Sequence, residues 1–231
     1  MKKKNPLIVA LDVQDLVEAK KLVRKLKNCV DVFKVGSILF TKEGPKVIKM
    51  IKSFGKKVFL DLKYHDIPNT VSNAVKQAAI LNVDIITIHA CGGMTMMQEA
   101  GKSRVKGKPS IFAVTLLTSI CPETLRDDLK IKLKPRDLVV HFAKLAKKAG
   151  LDGVIASGEE LEFVKKVCGK KFLVITPGVR PKTEKDDQKR VVTPSVAIKR
   201  GADYIVVGRP IIKADDPLAA ARSILKEINI K

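Results

Sequence analysis

Short apolar runs rich in Val, Ile and Leu alternate with amphipathic stretches along the whole chain. Residues 15–27 are an example of the second kind, because their apolar side chains form one stripe at helical spacing. Residues 215–228 repeat the pattern behind Asp216 and Pro217, a pair typical of a helix start. The apolar runs predict strands at residues 7–13, 32–36, 58–63, 84–90, 111–117, 153–156, 172–176 and 204–208.

Strands that alternate with helices form parallel sheets, because each helix returns the chain by a right-handed crossover. Eight such units predict an α/β protein with a closed (β/α)8 TIM barrel, and no G-x-G-x-x-G motif follows the first run. The chain has 231 residues, so we expect one barrel domain over residues 1–231. The irregular stretch 178–191 is long for a compact domain, and we expect it to form an active-site lid.

Composition narrows the class of protein. Hydrophobic residues make up 45% of the chain and aromatic residues 4%, so the core must be mainly aliphatic, as in parallel strands. No apolar run approaches the roughly 20 residues of a membrane helix, and the one behind the basic start is too short for a signal peptide. We therefore expect a cytoplasmic protein with no membrane partner. The four cysteines are scattered, which favours reduced thiols over a disulfide or zinc framework.

The formal net charge of +21 raises the alternative of nucleic-acid binding. Lysines are spread over the whole chain, however, and the only basic tail is the first four residues. The sequence has no aromatic platform and no nucleic-acid-binding motif. We expect most lysines to lie on solvated helix faces, with no nucleic-acid partner, and to create a positive field that attracts a small anionic substrate.

Residues 58–70 carry the clearest chemistry, because an apolar run is followed by Asp61, Lys63 and Asp66. Side chains alternate along a strand, so Asp61 and Lys63 are expected on the same side, one rung apart. Opposite charges on a buried face are seldom kept for stability alone. A lysine between two carboxylates stays protonated, which makes Lys63 a candidate general acid and Asp61 a candidate electrostatic group. The alternative is a surface ladder of ion pairs.

Polar residues recur where the other predicted strands end, which is where barrel enzymes keep their catalytic groups. These residues are Asp12, Lys34, His89, Thr118, Ser119, Ser157, Arg180 and Arg209. The loops after strands seven and eight of such barrels often bind phosphate. Arg180 and Arg209 offer forked donors there, Gly208 allows close backbone approach, and Gln188 in the expected lid adds an amide. The alternative for the two arginines is exposure beside turns.

These residues resemble the orotidine 5′-phosphate decarboxylase family over essentially the whole chain. The most specific match is the D-x-K-x-x-D core of Asp61, Lys63 and Asp66 with the Ile-Pro-Asn-Thr that follows it. Further matching segments lie at residues 11–13, 33–36, 89–93, 117–119, 176–181, 187–194 and 207–211. The resemblance implies decarboxylation of orotidine 5′-monophosphate to UMP and CO2, the last step of UMP synthesis, without a cofactor or metal.

The resemblance also implies a role for each catalytic side chain. Asp12 would hydrogen-bond a ribose hydroxyl, and Lys34 would bridge the ribose and Asp61. Asp61 would lie against the departing carboxylate, and Lys63 would protonate C6 of the pyrimidine.

The remaining implied roles concern binding and assembly. Asp66 and Thr70 would reach the neighbouring subunit's site, so that the active unit is a homodimer. The other implied contacts are Thr118 and Ser119 at the pyrimidine edge, and Arg180, Gln188, Gly208 and Arg209 at the phosphate. The family's phosphate loop is usually rich in glycine and alanine. Residues 182–186 are charged and short instead, which bears on loop closure.

Two alternatives remain within the barrel fold. A metal-dependent decarboxylase or aldolase of the 3-keto-gulonate-phosphate type looks similar around the D-x-K-x-x-D core. Such a site needs a further carboxylate on strand two for Mg²⁺, and Lys34 occupies that position. The other alternative is a barrel with a dead site, which would require one of the implied residues to be missing, and none is.

Overall fold

The computed structural model describes residues 5–181 and 192–229, which form a closed barrel of eight parallel strands. Each strand is hydrogen-bonded to the next, and the last pairs with the first. The predicted (β/α)8 TIM barrel is therefore confirmed. The strands are β1 Leu7–Ala10, β2 Val32–Gly36, β3 Lys57–Tyr64, β4 Ile85–His89, β5 Ser110–Val114, β6 Gly153–Ile155, β7 Leu173–Thr176 and β8 Tyr204–Val207.

Helices connect the strands. They are α1 Leu16–Leu26, α2 Ser37–Glu43, α3 Pro45–Ser53, α4 Pro68–Ile80, α5 Gly93–Lys102, α6 Pro135–Lys148, α7 Leu161–Cys168, α8 Pro194–Lys199, α9 Arg209–Ile212 and α10 Pro217–Glu227. A 3-10 turn covers Ala90–Gly92 and a π-helical turn covers Thr124–Asp128. Within the described ranges, no helix is both long and apolar enough to cross a membrane.

Two predicted strands end earlier than their apolar runs, since β1 stops at Ala10 and β5 at Val114. Beyond β5, the amide of Thr115 still donates to Ile155, after which the chain leaves the sheet. Leu116 and Leu117 then line a cavity at the mouth of the barrel. Their hydrophobicity therefore serves the wall of that cavity and not a strand.

Apolar side chains pack against both faces of the barrel strands, in an inner and an outer layer. The inner layer fills the barrel and consists of Ile8, Ala10, Val32, Phe59, Ile85, Phe112, Ile175, Tyr204 and Val206. The outer layer lies between strands and helices and contains most of the other buried aliphatic residues. Because the strands are buried on both faces, their sequences are continuously apolar and do not alternate between apolar and polar residues. The inner layer closes the barrel floor, so polar side chains further along the strands face the C-terminal mouth.

Ion pairs reinforce the N-terminal end of the barrel at Asp84, Asp152 and Asp203, the residues directly before β4, β6 and β8. Each carboxylate accepts a hydrogen bond from a backbone amide of the preceding strand. The three donors are Val58 at 2.8 Å, Ile111 at 2.8 Å and Val174 at 2.7 Å. The same carboxylates form ion pairs with Lys52, Arg104 and Lys165. Each of these basic residues lies in, or just after, the helix that precedes the amide-donating strand. We call these three arrangements the N-terminal staples.

Candidate active site

A cavity of about 250 Å³ opens at the C-terminal mouth of the barrel. Most residues that sequence reasoning selected lie on its wall. The predicted residues that line it are Asp12, Lys34, Asp61, Lys63, Thr118, Arg180, Gly208 and Arg209. Ser157, at the end of β6, lines it as well. Because the carboxyl ends of all eight strands meet at this mouth, residues far apart in sequence come together there.

Four charged side chains, one from the loop after β1 and three from β2 and β3, form one connected cluster. The Nζ of Lys34 lies 3.2 Å from Oδ1 of Asp12 and 3.6 Å from Oδ2 of Asp61. The Nζ of Lys63 lies 2.9 Å from the same Oδ2 of Asp61. Two carboxylates and two ammonium groups thus alternate along the chain of contacts. A surface ladder of ion pairs is excluded, because the side chains of Lys34 and Asp61 are each only 12% exposed.

Asp61 is the buried centre of this cluster. Burial by itself raises the pKa of a carboxyl group, because it disfavours the charged form. Here the positive charges of Lys34 and Lys63 outweigh burial, and the hydrogen bonds from Lys63 and Thr87 add to their effect. The pKa of Asp61 is therefore lowered from the ordinary value of 3.8, and the group is a carboxylate at neutral pH.

The backbone at Lys63 departs from regular strand geometry. Four steps along β3, from Leu60 to Tyr64, correspond to only two steps along β4, from Ile86 to Ile88. Within this bulge Lys63 has a φ of 51°, in the left-handed region that residues other than glycine seldom adopt. The predicted contact between Lys63 and Asp61 is present, but a bulge and not simple alternation produces it. Bulges next to active sites commonly redirect a side chain in this way.

Thr87 on β4 is a site residue that sequence reasoning missed. It is fully buried, and its hydroxyl donates to Oδ1 of Asp61 at 2.9 Å. It also accepts from the backbone amide of Lys63 at 3.0 Å. Residues 85–89 read as an apolar strand with one threonine, a common strand-forming residue, so the sequence drew no attention to it. The available signal was an inward-facing polar position beside the Asp61 strand.

Three of the groups predicted to bind phosphate, Arg180, Gly208 and Arg209, follow β7 and β8. Arg180 is only 5% exposed, and its backbone amide donates to Val192 at 3.0 Å. Arg209 begins α9, directly after Gly208. A Cβ at Gly208 would lie 3.4 Å from Oδ2 of Asp12, in van der Waals contact with the charged cluster. Gln188 and the loop 182–186 lie outside the described residues, as does most of the expected lid 178–191.

Comparison with known proteins identifies the family. The family model described as "Orotidine 5'-phosphate decarboxylase / HUMPS family" matches residues 5–224. An orotidine 5′-phosphate decarboxylase of Carboxydothermus hydrogenoformans is 49% identical over 96% of this chain and 95% of the relative. That of Moorella thermoacetica is 45% identical over 100% of this chain and 94% of the relative.

The chain belongs to the orotidine 5′-phosphate decarboxylase / HUMPS family. A crystal structure of orotidine 5′-phosphate decarboxylase from Lactobacillus acidophilus has a TM-score of 0.86 and 41% identity. It covers 98% of this chain, and this chain covers all of it. The predicted family and enzyme class, a carboxy-lyase, are thereby confirmed.

Three residues to which the family resemblance gives a role do not line the cavity of this single chain. Asp66 is exposed, and its carboxylate accepts from the adjacent amide of Ile67. Thr70, in the first turn of α4, is exposed as well. Ser119 is exposed on the turn beyond β5, beside Thr118, which does line the cavity.

Histidines lie beside the charged cluster without lining the cavity. The rings of His65 and His89 are 5.4 Å apart and tilted by 38°. Burial lowers the pKa of His89 from its ordinary value of 6.5, and the charges of His65 and Lys63 lower it further. The Sγ of Cys91 lies 3.9 Å from Nε2 of His65. Across residues 5–181 and 192–229, no group of three or more His, Cys, Asp or Glu side chains is arranged to hold a metal ion.

Proposed function

We propose that this protein decarboxylates orotidine 5′-monophosphate to UMP and CO2 in de novo pyrimidine synthesis, with Lys63 and Asp61 as the catalytic pair. One observation carries the proposal. An ammonium and a buried carboxylate lie 2.9 Å apart at one side of a cavity, while Arg180 and Arg209 line the same cavity. In an eight-stranded barrel β7 lies across from β3, so the arginines can hold a phosphate while the reacting ring meets Lys63.

The chemistry follows from where charge develops. When CO2 leaves, the electrons of the broken carbon–carbon bond remain on C6 of the pyrimidine. The ammonium of Lys63 stabilises this negative charge and then donates a proton to C6, after which solvent restores the proton on Lys63. Asp61 lies against the substrate carboxylate and holds Lys63 in place through their ion pair. Lys34 bridges Asp61 and Asp12, and Asp12 hydrogen-bonds the ribose.

The binding roles extend around the mouth. Arg180, Arg209 and the Gly208 backbone hold the phosphate with Gln188, while Thr118 and Ser119 lie at the pyrimidine edge. Contacts with a phosphate remote from C6 supply binding energy that can be used to assemble the charged site. Lysines spread over the whole chain favour attraction of this anionic nucleotide. We propose that the enzyme acts in the cytoplasm, without a nucleic-acid or membrane partner.

We further propose that residues 1–231 form one barrel domain and that the active unit is a homodimer. Asp66 and Thr70 lie next to the catalytic strand yet are exposed, as residues that serve a partner's site must be. Ile67 between them is 66% exposed, which favours burial against a second copy.

Mixed dimers test this sharing directly. Lys63→Ala chains combined with Asp66→Ala chains should regain activity, because one site then holds an intact Lys63 and an intact partner Asp66. The matched control combines Lys63→Ala with Asp61→Ala chains. Both of these residues belong to the same chain's site, so no intact site forms. Absence of rescue in verified mixed dimers of the first kind would contradict a shared site.

The alternative is a metal-dependent reaction on a keto-sugar phosphate, as in barrels of the 3-keto-gulonate-phosphate type. We propose a reaction without cofactor or metal, because Lys34 lies at the position on β2 where Mg²⁺ would need an oxygen ligand. Its ammonium contacts both Asp12 and Asp61, the carboxylates nearest to such an ion. A cation held between them opposes the binding of a second cation.

The deciding experiment follows the ultraviolet absorbance of orotidine 5′-monophosphate mixed with the purified protein and EDTA. Loss of the orotate band with UMP as the product would establish the activity and its independence of divalent metal. An unchanged band with EDTA, together with turnover of a keto-sugar phosphate once Mg²⁺ is added, would support the metal-dependent alternative and refute the proposal.

A further inference from the structure

Thr87 connects the two members of the catalytic pair from behind. It lies on β4, buried between the inner layer and the charged cluster, and it does not line the cavity. A hydroxyl group can donate one hydrogen bond and accept others. The Thr87 hydroxyl uses both capacities, toward the carboxylate of Asp61 and the backbone amide of Lys63. It therefore contacts both residues of the pair without access to substrate.

The contact with Asp61 fixes the orientation of the carboxylate. Oδ2 of Asp61 faces the ammonium groups of Lys63 at 2.9 Å and Lys34 at 3.6 Å. Oδ1 receives the Thr87 hydroxyl at 2.9 Å. With the two oxygens assigned to different partners, rotation of the carboxylate would break contacts on both sides. Without the hydroxyl, the buried Oδ1 would lose a donor, which is unfavourable in a low-dielectric interior.

The contact with Lys63 supports an unusual backbone. Lys63 lies in the bulge between β3 and β4 with a φ of 51°. A non-glycine residue keeps such a conformation only where its surroundings hold it there. The Lys63 amide has left the strand ladder, and a buried backbone N–H requires an acceptor. The Thr87 oxygen provides that acceptor at 3.0 Å.

We infer that Thr87 is a positioning residue for the decarboxylation: its hydroxyl orients the Asp61 carboxylate and holds the bulge that presents Lys63. This inference rests on the proposed function. It goes beyond that function because it assigns the arrangement of the pair to a residue that never meets the substrate. The consequence is that the two charges are already in place before binding, which is what electrostatic catalysis requires.

The primary test compares Thr87→Val, which keeps the shape but removes the hydroxyl, with Thr87→Ser, which keeps the hydroxyl. Thr87→Val should lower kcat by about 10- to 100-fold while KM changes by less, because a small misplacement of catalytic groups reduces turnover by such factors. Thr87→Ser should remain within about threefold of wild type. Equal kcat values for Thr87→Val and wild type, or no recovery with serine, would overturn the inference.

A matched control addresses packing. Thr176 on β7 is also fully buried, and its hydroxyl has no hydrogen-bond partner within the described residues. Thr176→Val makes the same atomic exchange without removing a hydrogen bond, so its kcat should equal that of wild type. A loss as large as that of Thr87→Val would show that valine in a barrel strand is itself harmful and would overturn the inference. Thr87→Cys, with a much weaker donor and the same expected loss, replaces Thr87→Val if that variant does not fold.

The pH profile supplies a readout that a purely structural role would not move. The ionisable groups that face Asp61 are Lys34 on β2, Lys63 on β3 and His89 on β4, with Asp12 joined through Lys34. The Thr87 hydrogen bond favours the carboxylate form, so its removal raises the pKa of Asp61. The pH at which the Asp61 carboxyl takes up a proton, followed by NMR of its carboxyl carbon, should therefore be higher in Thr87→Val and unchanged in Thr87→Ser. An unchanged midpoint in Thr87→Val would overturn the inference.

Failure of the inference and failure of the proposed function are distinguishable. Wild-type protein that leaves the orotate band unchanged refutes the function itself. Active wild type together with an equally active Thr87→Val variant refutes only the role of Thr87.

Discussion

At the N-terminal end of the barrel, Asp84, Asp152 and Asp203 each bind a backbone amide of the neighbouring strand and one basic side chain. At the C-terminal end, Asp61 accepts from no backbone amide of the residues that the structure describes. It is held by the Lys63 and Lys34 ammonium groups and the Thr87 hydroxyl. Both ends contain ion pairs between largely buried side chains, at 2.5–2.7 Å in the N-terminal staples and at 2.9 and 3.6 Å at Asp61. They differ in what the carboxylate is attached to.

The difference shows how one fold separates stability from chemistry. A carboxylate bound to backbone amides ties strands and helices together, and its charge is directed into the sheet. A carboxylate bound only by side chains leaves the ammonium of its partner facing a cavity, where it can meet a substrate. Barrel enzymes in general place catalysis at the C-terminal face and structural residues at the opposite face. This protein achieves that division with the same residue types.

The largest effect should come from removing the cation of the catalytic pair. Lys63→Ala should lower kcat by at least about 10⁴-fold, because both charge stabilisation and the proton source are lost. Binding of UMP should stay within about tenfold of wild type, because the role that we propose for Lys63 lies in the transition state. The absorbance assay and a UMP titration measure the two quantities. Lys102→Ala, which removes an exposed lysine paired with Glu99, is the control. Near-normal turnover of Lys63→Ala would show that the charged cluster at the C-terminal end does not perform the chemistry.

A smaller effect, confined to binding, is expected at Arg209. Arg209→Ala should weaken the affinity for UMP by about 100-fold, because a charge-assisted contact contributes roughly 1.5–3 kcal/mol. Affinity for uridine, which lacks the phosphate, should hardly change. Calorimetric titration with both ligands measures the difference, with Arg136→Ala on α6 as a surface control. Equal losses of affinity for UMP and uridine would assign Arg209 a structural role. The C-terminal end would then contain structural residues as well as functional ones.

Substitutions in the N-terminal staples should lower the stability of the protein and leave its turnover unchanged. Asp84→Ala should reduce the free energy of unfolding by about 3 kcal/mol, because the Val58 amide and Lys52 both lose their partner. Asp31 precedes β2 in the same way, but its side chain is 59% exposed and its contact with Lys56 is 3.4 Å. Asp31→Ala should therefore change stability by less than about 1 kcal/mol.

Urea denaturation measures both variants, and turnover per folded molecule should equal that of wild type in each. Equal destabilisation by Asp84→Ala and Asp31→Ala would show that the amide contact contributes nothing. A loss of kcat in Asp84→Ala would show that the two ends are not independent.

The smallest effect concerns pH and His89. Its pKa is lowered by burial and by nearby positive charge, so the unfolded chain takes up a proton at a pH where the folded protein does not. The contribution of His89 to stability is complete above pH 6.5 and decreases as the pH falls below that value. Urea denaturation at a series of pH values should show this slope in wild type and a smaller one in His89→Gln.

Much of the fold could be predicted because each strand is a short apolar run with its own flanking turn. The prediction failed at residues 11–13 and 115–117, where apolar side chains continue past the sheet. Local sequence cannot distinguish a strand from a cavity wall, because both bury aliphatic side chains. Only the position of neighbouring strands determines where the ladder ends.

The site was predictable where function leaves charged residues in apolar surroundings, as at Lys34 and Asp61. Thr87 was missed because a threonine suits a strand without any functional reason. The bulge at Lys63 was missed because a register shift depends on the pairing of β3 with β4, which one strand's sequence does not contain. The roles predicted for Asp66 and Thr70 came from the family resemblance and concern a second chain.

The N-terminal staples also have a consequence for how such a barrel can diversify. Each one joins a helix or its end, the strand after it and the next strand, and all three lie at the face where helices lead into strands. Loops at the opposite face can therefore lengthen, shorten or exchange without breaking any of them. The loops at the mouth of the barrel can therefore change in evolution, and the substrate with them. The barrel itself is retained, because Asp84, Asp152 and Asp203 stabilise its other end.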